Sequence, residues 1–292
     1  MIDLTNLNII KGLLTHYNVS AQKSLGQNFL IDKEVLDKIT KAAELSKVDF
    51  VVEVGPGFGT LTLLLAEKAG RILAIETDKK ILSILRAISS GYQNIDLLPA
   101  NVLRLDGKEL YSHYKAWSKT RNKKTRYKLV SNLPYYITSA VLKQFLETNY
   151  RPDLIVVMVQ KEVAERIVAK PGEMSLLSLS VQFFGKPEII AAVSKDAFWP
   201  KPKVDSAILK IVPHSSQLQH SVDDVKKFFR MLKAGFGERR KQLHNSLSGG
   251  LNINDATVQE KLRYVGISPQ TRAQELSITQ WVKLFKQFKK DI

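Results

Sequence analysis

Glu53-Val-Gly55-Pro-Gly57-Phe-Gly59-Thr60 is the stretch that decides how this chain folds. It follows a short apolar run, Phe50-Val-Val-Glu-Val54, and precedes a helix-like segment over 60–69. Glycines at i, i+2 and i+4 between a strand and a helix let the backbone turn sharply and come close to a ligand. The next strand, over 71–75, runs straight into an acidic residue, Glu76. A carboxylate at that place accepts hydrogen bonds from both hydroxyls of a ribose. Alone, the glycine loop is equally a plain structural turn. With a strand before it and Glu76 after it, it reads as a nucleoside-cofactor site.

The glycine spacing is not the G-x-G-x-x-G that cradles a pyrophosphate, and S-adenosylmethionine fits it better than a dinucleotide. Outward from the loop the alternation continues. Helix-like segments over 79–89, 139–147 and 161–169 interleave with strand-like runs over 95–98, 128–131 and 154–159. That rhythm predicts an α/β fold, a mostly parallel sheet with helices on both faces. Two late strands, 188–193 and 206–212, read as a hairpin-like edge. After Pro213 comes a polar linker, 214–220, and only helical periodicity follows. Ser221 with Asp224 caps a helix running to about Gly235; Gly249-Gly250 and Gly266 read as helix stops. Trp281, Leu284, Phe285 and Phe288 form one apolar helix face. The expected organisation is an α/β domain over 1–213 and a small all-α domain over 214–292.

The chain has 292 residues, 44% of them hydrophobic, enough for one or two packed domains. There is no cysteine, which excludes disulfides, thiolate-bound zinc, iron–sulfur clusters and a Cys nucleophile. The first residues lack a basic stretch followed by an apolar one, and no run approaches the roughly 18 apolar residues of a membrane span. The expectation is a cytoplasmic protein with no metal and no membrane partner. A net charge of +16 points to a polyanionic partner, nucleic acid being the commonest, although solubility alone also accounts for charge. Lys and Arg are concentrated from 195 onward. Six more basic residues fall within 119–128, which reads as a surface loop or hairpin with no assigned role.

Ser131-Asn132-Leu133-Pro134-Tyr135-Tyr136 follows the fourth strand. Its chemistry suits transfer to the exocyclic amine of a nucleobase, a poor nucleophile because its lone pair is delocalised into the ring. The Asn132 side-chain oxygen and the Leu133 carbonyl can accept both amine hydrogens and aim the lone pair at a sulfonium methyl. Tyr135 offers a stacking face for a base lifted from its helix. Phe198-Trp-Pro-Lys201-Pro-Lys203-Val204 supplies Phe198 for the base's other face and Lys201 and Lys203 for phosphate. Each segment is also readable as a turn with buried aromatics.

Taken together, these segments resemble the KsgA/Erm family of rRNA adenine N6-dimethyltransferases, from about Lys23 to near the C-terminus. The carriers are Lys23-Ser-Leu-Gly-Gln27-Asn28-Phe-Leu30-Ile-Asp32, the glycine loop, Asn132–Tyr136, Gln160–Arg166 and Phe198–Ser206. The resemblance implies a Rossmann-like class I S-adenosylmethionine-dependent methyltransferase domain with a helical rRNA-binding domain behind it. It implies Gln27, Asn28, Leu30, Gly55, Gly57, Glu76, Asn101, Val102 and Asn132 against the cofactor, and Asn132, Leu133, Tyr135 and Phe198 at the target base. One position departs: Asn101 stands where the family usually has Asp to accept from the cofactor's adenine amine. The implied reaction is N6,N6-dimethylation of two adjacent adenosines in the 3′-terminal hairpin of 16S small-subunit rRNA, within the assembling small ribosomal subunit. The segments Glu238-Arg239-Arg240-Lys241 and Gly266–Leu276 resemble the small-subunit members rather than the Erm-type enzymes of 23S rRNA, and Arg239, Arg240 and Lys241 are the expected RNA contacts. A non-catalytic assembly factor and a DNA amine methyltransferase are the remaining alternatives.

Overall fold

The computed structural model describes residues 2–19, 27–121, 124–214, 222–238 and 240–292. The chain begins with α1 (Leu7–His16), β1 (Phe29–Leu30), α2 (Lys33–Ala42), β2 (Asp49–Val54) and α3 (Thr60–Lys68). It continues through β3 (Arg71–Glu76), α4 (Lys79–Ile88), β4 (Ile95–Pro99), α5 (Gly107–Ser118), β5 (Arg126–Asn132) and α6 (Thr138–Leu146). Then come β6 (Leu154–Gln160), α7 (Lys161–Ile167), α8 (Leu176–Phe184), β7 (Gly185–Val193), β8 (Phe198–Trp199) and β9 (Ser206–Pro213). The remainder is helical: α9 (Val222–Phe236), α10 (Leu243–Leu251), α11 (Asp255–Tyr264) and α12 (Ile278–Phe288).

Seven strands form one sheet in the order β4-β3-β2-β5-β6-β9-β7. The first five in that order are parallel, while β9 runs antiparallel to both β6 and β7. β2 is buried along its whole length and β6 along all but its last residue, as expected where helices cover both faces of a parallel sheet. The two late strands pair antiparallel with each other at the end of the sheet, the hairpin-like edge expected of them. β9 lies inside the sheet because Ala207, Ile208, Leu209 and Ile211 are buried; β7 alternates buried and exposed and takes the edge. From β2 the chain winds outward through β3 and β4, then returns to place β5 on β2's other side. That reversal opens a crevice at the carboxyl ends of β2 and β5.

At the opposite, amino ends of those strands lies a buried ion cluster. Lys128 is 2% exposed, and its Nζ donates to the Ala43 and Glu44 carbonyls at 2.8 Å and to Asp49 Oδ2 at 3.2 Å. Arg126 Nε donates to Asp49 Oδ1 at 2.7 Å. The basic segment 119–128 is therefore not wholly a surface loop: its end is strand β5, because Asp49 compensates the charges that enter the sheet. Residues 122–123 of that segment lie outside the described residues.

The chain divides into two compact units, 1–164 with 185–213, and 165–184 with 214–292. The second unit is thus larger than the expected 214–292. Phe183 stacks on Phe228 at 4.5 Å between ring centres, and Phe184 on Phe229 at 5.8 Å, which ties α8 to α9. The Ser221 cap and linker residues 215–220 lie outside the described residues. Gly249 and Gly250 do not stop a helix; both lie inside α10. The stop is Asn252, in the left-handed region at φ +59°, while Gly266 at φ +76° follows α11 as expected. On α12, Trp281, Leu284, Phe285 and Phe288 are all buried, as their spacing requires.

Candidate active site

β2 ends at Val54, and the chain leaves it through Gly55 and Gly57 at φ +67° and +58°. Only glycine adopts these angles without strain, and a Cβ at Gly57 would lie 3.1 Å from the Phe29 ring. The Gly55 N–H donates to the Ile75 carbonyl at 2.9 Å, which pins the loop to the end of β3. Ser131 Oγ donates to the Val54 carbonyl at 2.5 Å and holds β5 against β2 at the same level. Opposite the loop, β1 pairs antiparallel with β8, Phe29 facing Trp199 and Leu30 facing Phe198. Two segments far apart in sequence therefore form one short ribbon beside the crevice.

The crevice is a cavity of about 350 Å³. Gln27, Asn28, Leu30, Gly55, Gly57, Glu76, Asn101, Val102, Asn132, Leu133 and Tyr135 all line it. Asn132 Nδ2 donates to the Asn28 carbonyl at 3.3 Å, which leaves Oδ1 as the acceptor end of that amide. Pro134, at φ −56°, follows and turns the chain into a short 3₁₀ turn over Tyr135–Ile137. The Tyr135 hydroxyl shares a 2.5 Å hydrogen bond with Ser206 Oγ, and burial of the ring raises the phenol pKa despite that bond. Glu76 Oε1 accepts from the Thr77 and Asp78 N–H groups at 2.8 and 3.0 Å. Burial outweighs those bonds and raises its pKa.

One expectation changes, and two residues gain a local partner. Phe198 does not line the cavity: its ring is 3% exposed and packed in the core, because pairing with Leu30 turns it inward. Lys201, expected to meet phosphate, is ion-paired with Asp196. Asn101 Oδ1, expected to accept from adenine, already accepts the Leu103 N–H at 3.0 Å as the cap of a short 3₁₀ turn. Lys203 and Arg240 are exposed, Lys241 is paired with Glu238 at 2.8 Å, and Arg239 lies outside the described residues, as do Lys23 to Gly26.

Two cavity residues escaped the sequence reading. Tyr136 is 64% exposed, a large ring presented at the cleft. Glu53 is 1% exposed, and its Oε2 has no hydrogen-bond partner. Burial pushes its pKa up to about 8, against a hydrogen bond from Thr62 that lowers it and with a smaller push from the Glu76 charge. Its signal was in the sequence: a carboxyl inside an otherwise apolar strand.

A family model described as ribosomal RNA adenine dimethylase matches residues 18–290. The chain belongs to that family. The ribosomal RNA small subunit methyltransferase A of Dehalococcoides mccartyi is 45% identical over 274 residues, covering 94% of this chain and 90% of the relative. That of Pelotomaculum thermopropionicum is 38% identical, covering 99% and 98%. Among solved structures, a dimethyladenosine transferase from Plasmodium falciparum superposes with a TM-score of 0.71 at 25% identity, covering 90% of this chain and 98% of that one. The 23S rRNA methyltransferase ErmE gives 0.70 at 26%, covering 90% and 100%.

The chain is thus an rRNA adenine dimethyltransferase that uses S-adenosylmethionine, built on the Rossmann-like methyltransferase fold. The cavity suits that cofactor: positive-φ glycines let a ligand approach closely, the Glu76 carboxyl ends β3 in the cavity wall, and Glu53 Oε2 is a buried acceptor with no hydrogen-bond partner. No described helix is long and apolar enough to cross a membrane.

Proposed function

We propose that this dimethyltransferase acts on two adjacent adenosines in the 3′-terminal hairpin of small-subunit rRNA, in the assembling subunit and in the cytoplasm. Support for the small-subunit choice comes from identity: 45% to a small-subunit enzyme over nearly its whole length, against 26% to ErmE. The cofactor supplies an electrophilic methyl on a sulfonium centre. Asn132, with its Nδ2 engaged by Asn28, presents Oδ1 as an acceptor for one adenine amine hydrogen, and the Leu133 carbonyl accepts the other. Both would hold the nitrogen lone pair toward the methyl that the bound cofactor would supply, and the amine proton would leave to solvent. Tyr135, braced by Ser206, supports the base by stacking. Lys203, Arg240 and Lys241, with Arg239, serve the phosphate backbone.

The observation that carries this reading is the placement of the Asn132 amide, anchored through its nitrogen, in the wall of the cavity. Single-turnover methylation of undermethylated small subunits tests it, with large-subunit RNA as competitor. Two N6,N6-dimethyladenosines per small subunit are expected, and Asn132→Ala should slow transfer roughly 10²–10³-fold while RNA affinity barely changes. Methylation confined to large-subunit RNA would overturn the substrate. Binding without transfer would leave a non-catalytic assembly factor.

A further inference from the structure

The basic residues around 119–121 take no part in the cofactor cleft, and they end a row of cations that runs along α5. At 100° per residue, Lys108, Ser112, Lys115 and Lys119 fall within about 60° of one another; Lys119, the C-cap residue, keeps helical angles. All four are exposed. The opposite side of the helix is the packed one: Leu110 is buried, and Tyr114 and Trp117 lie against Phe50 of β2 at 6.0 and 5.8 Å between ring centres. Helix α5 also starts from the cleft wall. Asn101, Val102 and Leu103 line the cavity, and exposed Arg104 follows them. Gln144 Nε2 of α6 donates to the Val102 and Leu105 carbonyls at 2.7 and 2.6 Å, which fixes that turn. From Lys108 to Lys119 the stripe covers about 17 Å of helix, and Arg121 lies just past its end.

Several exposed lysines of the same unit are neutralised locally, Lys33 by Asp3, Lys41 by Asp37 and Lys143 by Glu147. Among the described residues, Arg104, Lys108, Lys115, Lys119 and Arg121 have no carboxylate partner. The acidic residues of this region stand aside: Asp106 accepts the Glu109 N–H at 2.6 Å as the helix cap, and Glu109 lies about 100° round from Lys108. Two of the cations rest on rings instead. Lys115 Nζ is 5.5 Å from the centre of the Tyr111 ring, and the Arg121 guanidinium is 5.1 Å from that of Trp117. A ring holds a cation in place without cancelling its charge, so that charge stays available to an anion. We propose that this stripe is a track for the phosphate backbone of the substrate rRNA, which leaves the cleft past Arg104 and runs down α5 over Lys108, Lys115 and Lys119. This rests on the reading that the target adenine enters the cavity lined by Asn132. The track and the cleft belong to one compact unit, so the track fixes the flanking strand relative to the cavity. Contacts to phosphate set affinity and register and read no sequence.

Each phosphate contact releases condensed counterions and adds about 0.7–0.9 to the slope of log affinity against log salt. Three track lysines are therefore worth a slope of about two to three. A lysine that only adds to the general field of the protein has no phosphate held against it, and its loss changes the slope much less.

Binding of the full-length protein to undermethylated small subunits, titrated across a salt series, tests the track. Lys108→Gln, Lys115→Gln and Lys119→Gln combined should weaken binding at least about tenfold near 0.1 M salt and reduce the slope by about two to three. The same three positions changed to Arg should keep both values, because the charges remain. As a control, Lys38→Gln with Lys186→Gln, exposed lysines of α2 and β7, should change the slope by less than about one. The loss in the Gln triple should appear in the subunit concentration needed for half-maximal methylation rather than in the plateau rate, with cofactor affinity held. An unchanged slope in the Gln triple, or a control pair that lowers it as much per charge, would overturn the track and leave α5 a solvated face. Joint loss of plateau rate and cofactor affinity would overturn it too, by assigning the lysines to the fold. If wild type methylates large-subunit RNA instead, the substrate reading falls, and the same salt series on that RNA decides the track.

Discussion

Asn101 shows how one atom can change a binding site. Its Oδ1 holds the Leu103 N–H, so that oxygen keeps one neutral lone pair to offer a ligand, beside the Nδ2 donor. An Asp at 101 would keep one oxygen on that N–H and offer a second, charged one to an amine. Asn101→Asp should therefore tighten S-adenosylmethionine binding by about fivefold, roughly 1 kcal/mol, measured by calorimetry. Weaker binding would mean that the cleft uses Nδ2 as a donor. Glu53 makes a second prediction at this scale, on the cofactor-free protein. Its carboxyl rises from an unfolded value of 4.5 to about 8 in the fold, so its stabilising effect is complete below 4.5 and is lost as pH climbs toward 8. Thermal unfolding of Glu53→Gln should match wild type near pH 4.5 and occur at higher temperature than wild type at pH 8. An equal gap at both pH values would show that Glu53 does not titrate in that window.

At the scale of elements, the adjacent glycines of α10 carry opposite expectations. A Cβ on Gly250 would lie 2.6 Å from Ala234 Cβ and 2.9 Å from its Cα on α9; one on Gly249 meets nothing within 4 Å. Gly250→Ala should destabilise the chain by about 1–3 kcal/mol through overpacking, whereas Gly249→Ala should stabilise it by roughly 0.5–1 kcal/mol through helix propensity. Denaturant unfolding separates them, and equal effects would refute the close approach of α9 and α10. Sequence pattern alone reads a Gly-Gly pair as a stop. What keeps α10 helical there is burial of Leu243, Leu247 and Leu251, which outweighs the glycine penalty. The β1–β8 ribbon was likewise hidden: each strand is two residues long, too short for any periodicity, and exists only because its partner is present.

For the whole molecule, a net charge of +16 predicts binding to small subunits that weakens steeply with salt. Neutralising Arg239, Arg240 and Lys241 together should reduce the slope of log affinity against log salt by about two, less than three full charges because Glu238 already pairs with Lys241. An unchanged slope, with the fold intact by circular dichroism, would assign those side chains to the surface alone. The sequence by itself determined the βα alternation, the glycine loop with Glu76, the Asn132–Tyr136 motif and the apolar face of α12. Each is local: a period, a spacing or a turn chemistry that neighbours in the chain express without help. Only the tertiary structure decided that β9 enters between β6 and β7, that 165–184 join the C-terminal unit, that Phe198 is turned into the core, and that the Glu53 carboxyl is buried. Those outcomes depend on which distant surfaces meet. Burial of apolar area and the cost of an unpaired buried charge are set by three-dimensional neighbours that no window of sequence contains.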